Sequence, residues 1–294
     1  MSNFLSKLNK IAKDVNNYLK ILFLNQEKDS FLVKPMKYGL FSGGKRFRAA
    51  IVINMGKAYN IDYKTLIAIG AAVECMHSYS LIHDDLPAMD NDDLRRGKLS
   101  THKKFNEFTA ILAGNSLLTL AFEILSSSKL NLKEKIKNEL IKTLAKCSGH
   151  SGLAGGQYSD LIFENKKVSK KDIINMQEKK TGKLFGFCCE SIAIIKEKNF
   201  KKRKILKEIG SNIGLLFQIS DDLIDYKGDS KVVGKPTKSD AKKGKATLVN
   251  FIGFDETIKF AKNLENQTIK KIKKCGVKNA DLIKSVNFIL SREL

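Results

Sequence analysis

Tryptophan and proline are what this chain has least of. Three prolines and no tryptophan occur in 294 residues, so long stretches run without a helix breaker. The scarcity of alternating Val, Thr and Tyr removes the usual signal for strands. Five cysteines, Cys75, Cys147, Cys188, Cys189 and Cys275, form neither an even set nor a CxxC spacing. That argues against a disulfide framework or a thiolate metal site and for reduced thiols in a cytoplasmic protein. The opening residues MSNFLSKLNKIAKDV carry no apolar run of the signal-peptide kind. No segment is expected to reach the roughly 20 apolar residues of a bilayer span, so stable membrane insertion is not expected.

The formal net charge is +22, yet only six of the 53 basic residues are arginine. Lysines scattered along the chain read as solvated helix faces, not as a nucleic-acid surface, though their field would steer any anionic substrate, a diphosphate included, inward. With 43% hydrophobic and 29% charged residues, the chain has the composition of a globular protein. One all-α domain over residues 1–294 is expected.

Phe4, Leu8, Ile11, Val15, Tyr18 and Leu22 recur at spacings of three and four, predicting an amphipathic N-terminal helix. Residues 64–85 predict an apolar, small-residue helix at the centre of the fold. Further helices are expected over about 103–127, 132–149, 170–197, 202–226 and 246–293. Residues 226–247, rich in Gly and Lys, read as a flap-like loop.

The chemistry lies in two acidic clusters. SLIHDDLPAMDNDDLRRG, residues 80–97, carries Asp84, Asp85, Asp90, Asp92 and Asp93; FQISDDLID, residues 217–225, carries Asp221, Asp222 and Asp225. Positions i, i+1 and i+4 fall within about 100° on a helix, so the second cluster is a stripe that also includes Gln218. Carboxylates gathered this way repel one another and do little for stability. In the first cluster Pro87 disfavours helix through Leu86, so Asp90 can rejoin Asp84 only if the helix ends or bulges there. Two such stripes facing each other would suit several Mg²⁺ ions around a shared diphosphate. Lys45, Arg48, Arg95, Arg96, Lys180 and Lys235 are candidate phosphate cations, and His77 falls on the acidic face. No Ser-His-Asp or Cys-His constellation stands out.

HDDLPAMDNDDLRRG together with FQISDDLID resembles the two Asp-rich motifs of the trans-type polyprenyl diphosphate synthases, a family with the all-α isoprenoid synthase fold. GGKRFR, GGQYSD, KTG and GKPTKSDAKKGKAT follow in matching order, so the resemblance covers roughly residues 40–250. The LPAM spacer resembles the bacterial farnesyl diphosphate synthase form, which plant-type geranylgeranyl synthases share. Ala49 departs from the family's usual proline. The resemblance implies that Asp84, Asp85, Asp90, Asp221, Asp222 and Asp225 hold three Mg²⁺ (Mn²⁺ being a possible substitute) on an allylic diphosphate. Arg95, Lys180, Thr181, Gln218 and Lys235 would bind that diphosphate, and Lys45, Arg48, His77 and Arg96 that of isopentenyl diphosphate. Dimethylallyl and geranyl diphosphate would be the primers and a homodimer the assembly. Tyr79 and Ser80, just ahead of Asp84, would limit product length to C15. A C20 synthase, a class I terpene cyclase and a basic binding protein stand as alternatives.

Overall fold

The computed structural model describes residues 2–24, 31–227, 243–276 and 280–291. It forms two compact units, residues 1–53 with 61–141, and residues 54–60 with 142–294.

The first unit is organised by α4, Tyr63–Asp84. Asp62 caps it by accepting from the Thr65 amide at 3.0 Å, leaving one fewer orphan donor in the first turn. Because α4 is apolar nearly all round, it is surrounded. α1 (Ser2–Leu24), α2 (Val33–Leu40) and α6 (Glu107–Ser126) all pack against it. α3 begins here (Phe47–Lys57), with its Ala49 seated on Gly70 of α4, where an added Cβ would come within 2.9 Å.

The buried stripe of α1 is Phe4, Leu8, Ile11, Val15, Leu19 and Phe23. The predicted continuation through Tyr18 and Leu22 is therefore one position early: 3.6 residues per turn carries the stripe to Leu19 and Phe23. The all-α expectation holds, and a two-residue antiparallel ladder joining β1 (Leu94–Arg95) to β2 (Lys98–Leu99) is a small addition to it. The expectation that no segment reaches the length of a bilayer span needs correcting: α4 and α6 are both long and apolar enough to cross a membrane. For α4 the apolar window is 83% buried within the protein, which makes it a core helix. α5 (Thr101–Lys104) links the ladder to α6.

The second unit is built on α11, Phe200–Lys227. α10 (Lys183–Ile195) lies along it, and Gly210 and Gly214 let the two backbones approach. α7 (Glu134–Ser148) leads into this unit. α8 (Leu153–Ile162) and α9 (Lys170–Gln177) follow, the latter opened by a Ser169–Asp172 capping box. A single π-turn, Glu178–Gly182, joins α9 to α10. α12 (Leu248–Ile252), α13 (Phe254–Lys274) and α14 (Ala280–Leu290) complete the unit.

Candidate active site

In the first unit, α4 ends at Asp84 with Asp85 at its C-cap, the last position before Leu86, where Pro87 disfavours helix. The chain then folds back: the Asp90 amide donates to the Asp84 carbonyl at 2.9 Å, and the Asp92 amide to that of Asp85 at 3.2 Å. Asp90 thus rejoins the helix end, as the spacing requires. Asp85 is only 2% exposed and is held by Arg95, whose Nε donates to both carboxylate oxygens at 2.9 and 3.2 Å. Burial works against the Arg95 charge, but Asp85, with Asp92 and Asp84, more than restores it.

The basic complement of this unit is assembled by turns. Arg96 and Gly97 both have positive φ, 55° and 74°, the signature of a two-residue hairpin loop between β1 and β2. The loop lets an Arg96 guanidinium nitrogen donate to the Gly43 carbonyl. Gly44, at φ 102°, lies so close that a Cβ would come within 2.5–2.9 Å of that guanidinium. The GlyGly turn is therefore the seat of Arg96. Arg48 and Arg96 both act on His77, whose pKa lies well below 6.5 through burial first, then the charges of Arg48, Arg96, Arg46 and Arg95. His77 is thus neutral at pH 7. Lys45 follows the turn on exposed backbone. Arg46, from the same GGKRFR motif, is buried and structural. It donates to Asn16 at 2.9 Å and to the Leu40 carbonyl at 2.6 Å, and pairs with Glu74 at 3.5 Å.

One turn before Asp84, Ser80 turns back to donate to the His77 carbonyl at 2.9 Å. The Tyr79 ring instead meets the edge of His83, with centroids 5.5 Å apart and planes at 85°. Burial, with the Asp84 charge, pushes the Tyr79 pKa up to about 12, so the phenol stays neutral.

In the second unit the DDLID stripe occupies the last turns of α11. Asp222 is buried and accepts from Gln177 at 2.6 Å and from Gln218 at 2.8 Å; Asp221 and Asp225 are partly exposed. Thr181 donates to Gln218 at 2.8 Å. Lys180 and Thr181 both lie in the π-turn, a distortion frequent at functional sites. The Lys180 ammonium is held by Asp160 at 2.8 Å, and Lys245 pairs with the same carboxylate at 2.9 Å and with Glu164 at 2.8 Å. Burial alone would raise the Asp160 pKa; the two ammonium groups outweigh it and hold the pKa below 3.8. Asp160, Lys245 and Gln177 escaped the sequence reading of the site, although Asp160 stands in the GGQYSD motif. Lys235, and most of the 226–247 loop, lie outside the described residues.

Every acidic candidate offers hard oxygen, the donor magnesium prefers. Among the described residues no three acidic, His or Cys side chains gather closely enough to hold an ion by themselves. Asp84, Asp85 and Asp90 meet at one helix end, a donor set that fits an ion completing its shell with water and phosphate, the usual way magnesium is held.

The family described as polyprenyl synthetase matches residues 29–285. The farnesyl diphosphate synthase of Bacillus subtilis is 38% identical over 246 residues, which cover 83% of this chain and 82% of its own length. Among solved structures, the apo FPP/GFPP synthase of Zymomonas mobilis is 39% identical with a TM-score of 0.87, covering 98% of this chain and 100% of that one. The Helicobacter pylori geranyltransferase complexed with magnesium and isoprenyl diphosphate is 30% identical with a TM-score of 0.83, over 99% and 97% of the two chains.

Proposed function

Because this chain belongs to the polyprenyl synthetase family, we propose that it is a magnesium-dependent prenyltransferase condensing isopentenyl diphosphate with dimethylallyl and then geranyl diphosphate to give farnesyl diphosphate. The observation that carries this reading is the return of Asp90 to Asp84 beside the Arg95-bound Asp85. It gives one helix end carboxylates for metal and a guanidinium for phosphate.

Asp84, Asp85, Asp90, Asp221, Asp222 and Asp225 would hold magnesium, three ions per site, with manganese as a substitute. Bound there, the metal would neutralise charge building on the departing pyrophosphate. Arg95, Lys180, Thr181, Gln218 and Lys235 bind and orient the allylic diphosphate. Lys180 and Arg95 each already grip a carboxylate, so the diphosphate competes with Asp160 and Asp85 for charge-assisted bonds. Lys45, Arg48, Arg96 and neutral His77 bind isopentenyl diphosphate, the seat of Arg96 being fixed by the GlyGly turn.

The allylic C–O bond breaks and its electron pair leaves with pyrophosphate. The isopentenyl double bond then attacks the allylic carbon to form the new C–C bond. The neighbouring carbon loses a proton to the released pyrophosphate. No protein nucleophile takes part, and apolar walls keep water from the cation. Tyr79, with Ser80 beside it, stands about 7.5 Å along the helix from Asp84 and forms the floor that stops growth at C15.

One domain, a cytoplasmic location and a homodimer complete the reading. For the dimer, the support is the outer face of α6. Phe108, Ile111 and Leu112 there are 66%, 42% and 48% exposed, and a second copy is the occupant best matched to a stripe so poor in charge.

The test is incubation of the full chain with labelled isopentenyl diphosphate, Mg²⁺ and each allylic primer, followed by sizing of the dephosphorylated alcohols. Farnesol from both dimethylallyl and geranyl primers is expected. No Mg²⁺-dependent incorporation would overturn the proposal, whereas a dominant C20 alcohol would favour a geranylgeranyl diphosphate synthase.

A further inference from the structure

Tyr79 and His83 are four residues apart on α4 and share one face of the helix. Their rings meet edge to face, with centroids 5.5 Å apart at 85°. The imidazole is fixed in turn from α6: its Nε2 lies 3.1 Å from the Ile111 carbonyl oxygen. A carbonyl can only accept, so Nε2 carries the proton and donates. Gly114, one turn further along α6, makes the space for this ring. A Cβ there would lie inside van der Waals contact of His83 Nε2 and Cδ2, and 3.1 Å from Cε1. Glycine inside a helix is otherwise unfavourable, so its presence at the point where α4 and α6 touch has a packing reason.

We propose that His83 and Gly114 are positioning residues for product length. The Gly114 cradle and the Ile111 carbonyl lock the His83 ring, and the locked ring holds the Tyr79 phenol as a rigid barrier. A tyrosine free to rotate about χ1 would swing aside for a growing chain, and an aromatic ring wedged on one side cannot. Chain length is then decided by three residues on two helices instead of one residue on α4. This rests on the reading of Tyr79 as the cavity floor.

The experiment compares the full-chain enzyme with the variants Tyr79→Ala, His83→Ala, His83→Gln, Gly114→Ala and the double variant Tyr79→Ala/His83→Ala. Each is given geranyl diphosphate, labelled isopentenyl diphosphate and Mg²⁺, and the ratio of longer products to the wild-type product is read. Because His83 adjoins Asp84, turnover is not the readout; the ratio at equal conversion does not depend on it. The expected result is a rise in the ratio on the order of tenfold for His83→Ala and Gly114→Ala, with the double variant no longer than Tyr79→Ala alone. His83→Gln keeps a donor for the Ile111 carbonyl but loses the ring, and should resemble His83→Ala.

Should Tyr79→Ala lengthen the product while the His83 variants leave the ratio unchanged, the buttress is wrong and the floor stands. An unchanged product from Tyr79→Ala overturns the floor itself. If Gly114→Ala does not fold, as judged by helical circular dichroism, the two His83 variants carry the decision alone.

Discussion

The Asp90 amide donates to the Asp84 carbonyl at 2.9 Å, so two acidic residues six apart in sequence are tied through their backbones at one helix end. The tie depends on the length of the LPAM spacer, in which Pro87 and Ala88 are exposed. Deleting Ala88 should therefore spare the fold but misplace Asp90. We expect kcat to fall on the order of a hundredfold, the scale of loss for a misplaced catalytic group, with the melting temperature nearly unchanged. Pyrophosphate release and thermal denaturation measured on one preparation check both halves.

A second expectation concerns acid. The pKa of His77 is depressed in the folded state by burial and by Arg48, Arg96, Arg46 and Arg95. Below 6.5, the ordinary value, the unfolded chain therefore binds a proton that the folded chain does not, and stability is lost as pH falls. For a single group the slope is at most about 1.4 kcal/mol per pH unit. His77→Gln should flatten the decline in urea-unfolding free energy between pH 7.5 and 5.5. Parallel curves for the two proteins would mean that His77 is not the group responsible.

Much of this arrangement is legible before any coordinates. The all-round apolar character of residues 64–85 marks α4 as central, and Pro87 marks where it stops. The i, i+1, i+4 stripe of Asp221, Asp222 and Asp225 follows from helix geometry alone. What stays hidden depends on tertiary partners. Nothing local says that Asp85 and Asp222 are buried and already engaged, by Arg95 in one case and by Gln177 and Gln218 in the other. Asp160 is one acid in a ten-residue helix, α8, and its partners Lys180 and Lys245 lie 20 and 85 residues away. The hairpin that seats Arg96 is too short for periodicity to register, and its Arg96-Gly97 loop lacks the Asn-Gly or Asp-Gly dipeptide that marks such turns.

The Asp160 network supplies a third test. Asp160 and the Lys245 side chain are each nearly buried, so removing the carboxylate charge strips Lys245 of one ion-pair partner while Glu164 stays. Breaking a buried pair by removing one member costs about 3 kcal/mol or more. Asp160→Asn should lower the melting temperature by roughly 6–12 °C for a chain of this size. Because the Asp160 pKa is held below 3.8, its contribution is present at neutral pH and fades only as pH falls below that value. The melting-temperature gap between variant and wild type should accordingly hold from pH 8 to pH 5. A gap that closes by pH 5 would show that the carboxylate is not held low.

Ala49 invites the reverse substitution, since the resembling family usually has proline there. In this chain Ala49 is the third residue of α3, among the positions whose amides have no partner within the helix. Its amide donates instead to Glu74 Oε1 of α4 at 3.1 Å. Glu74 is 3% exposed and also faces Arg46 at 3.5 Å, so one buried carboxylate caps α3 and balances a buried guanidinium. Proline would fit the helical φ at this early position, but it has no N–H. The Cδ that replaces the hydrogen would push directly at the Glu74 oxygen, while Ala49 Cβ is already packed on Gly70. The family's preferred residue should therefore destabilise this protein by about 1–3 kcal/mol, the cost of an unmet buried acceptor. Ala49→Ser keeps the amide and should cost less. Should Ala49→Pro melt at or above the wild-type temperature, Glu74 would not be acting as the cap of α3, and its pairing with Arg46 alone would account for its burial.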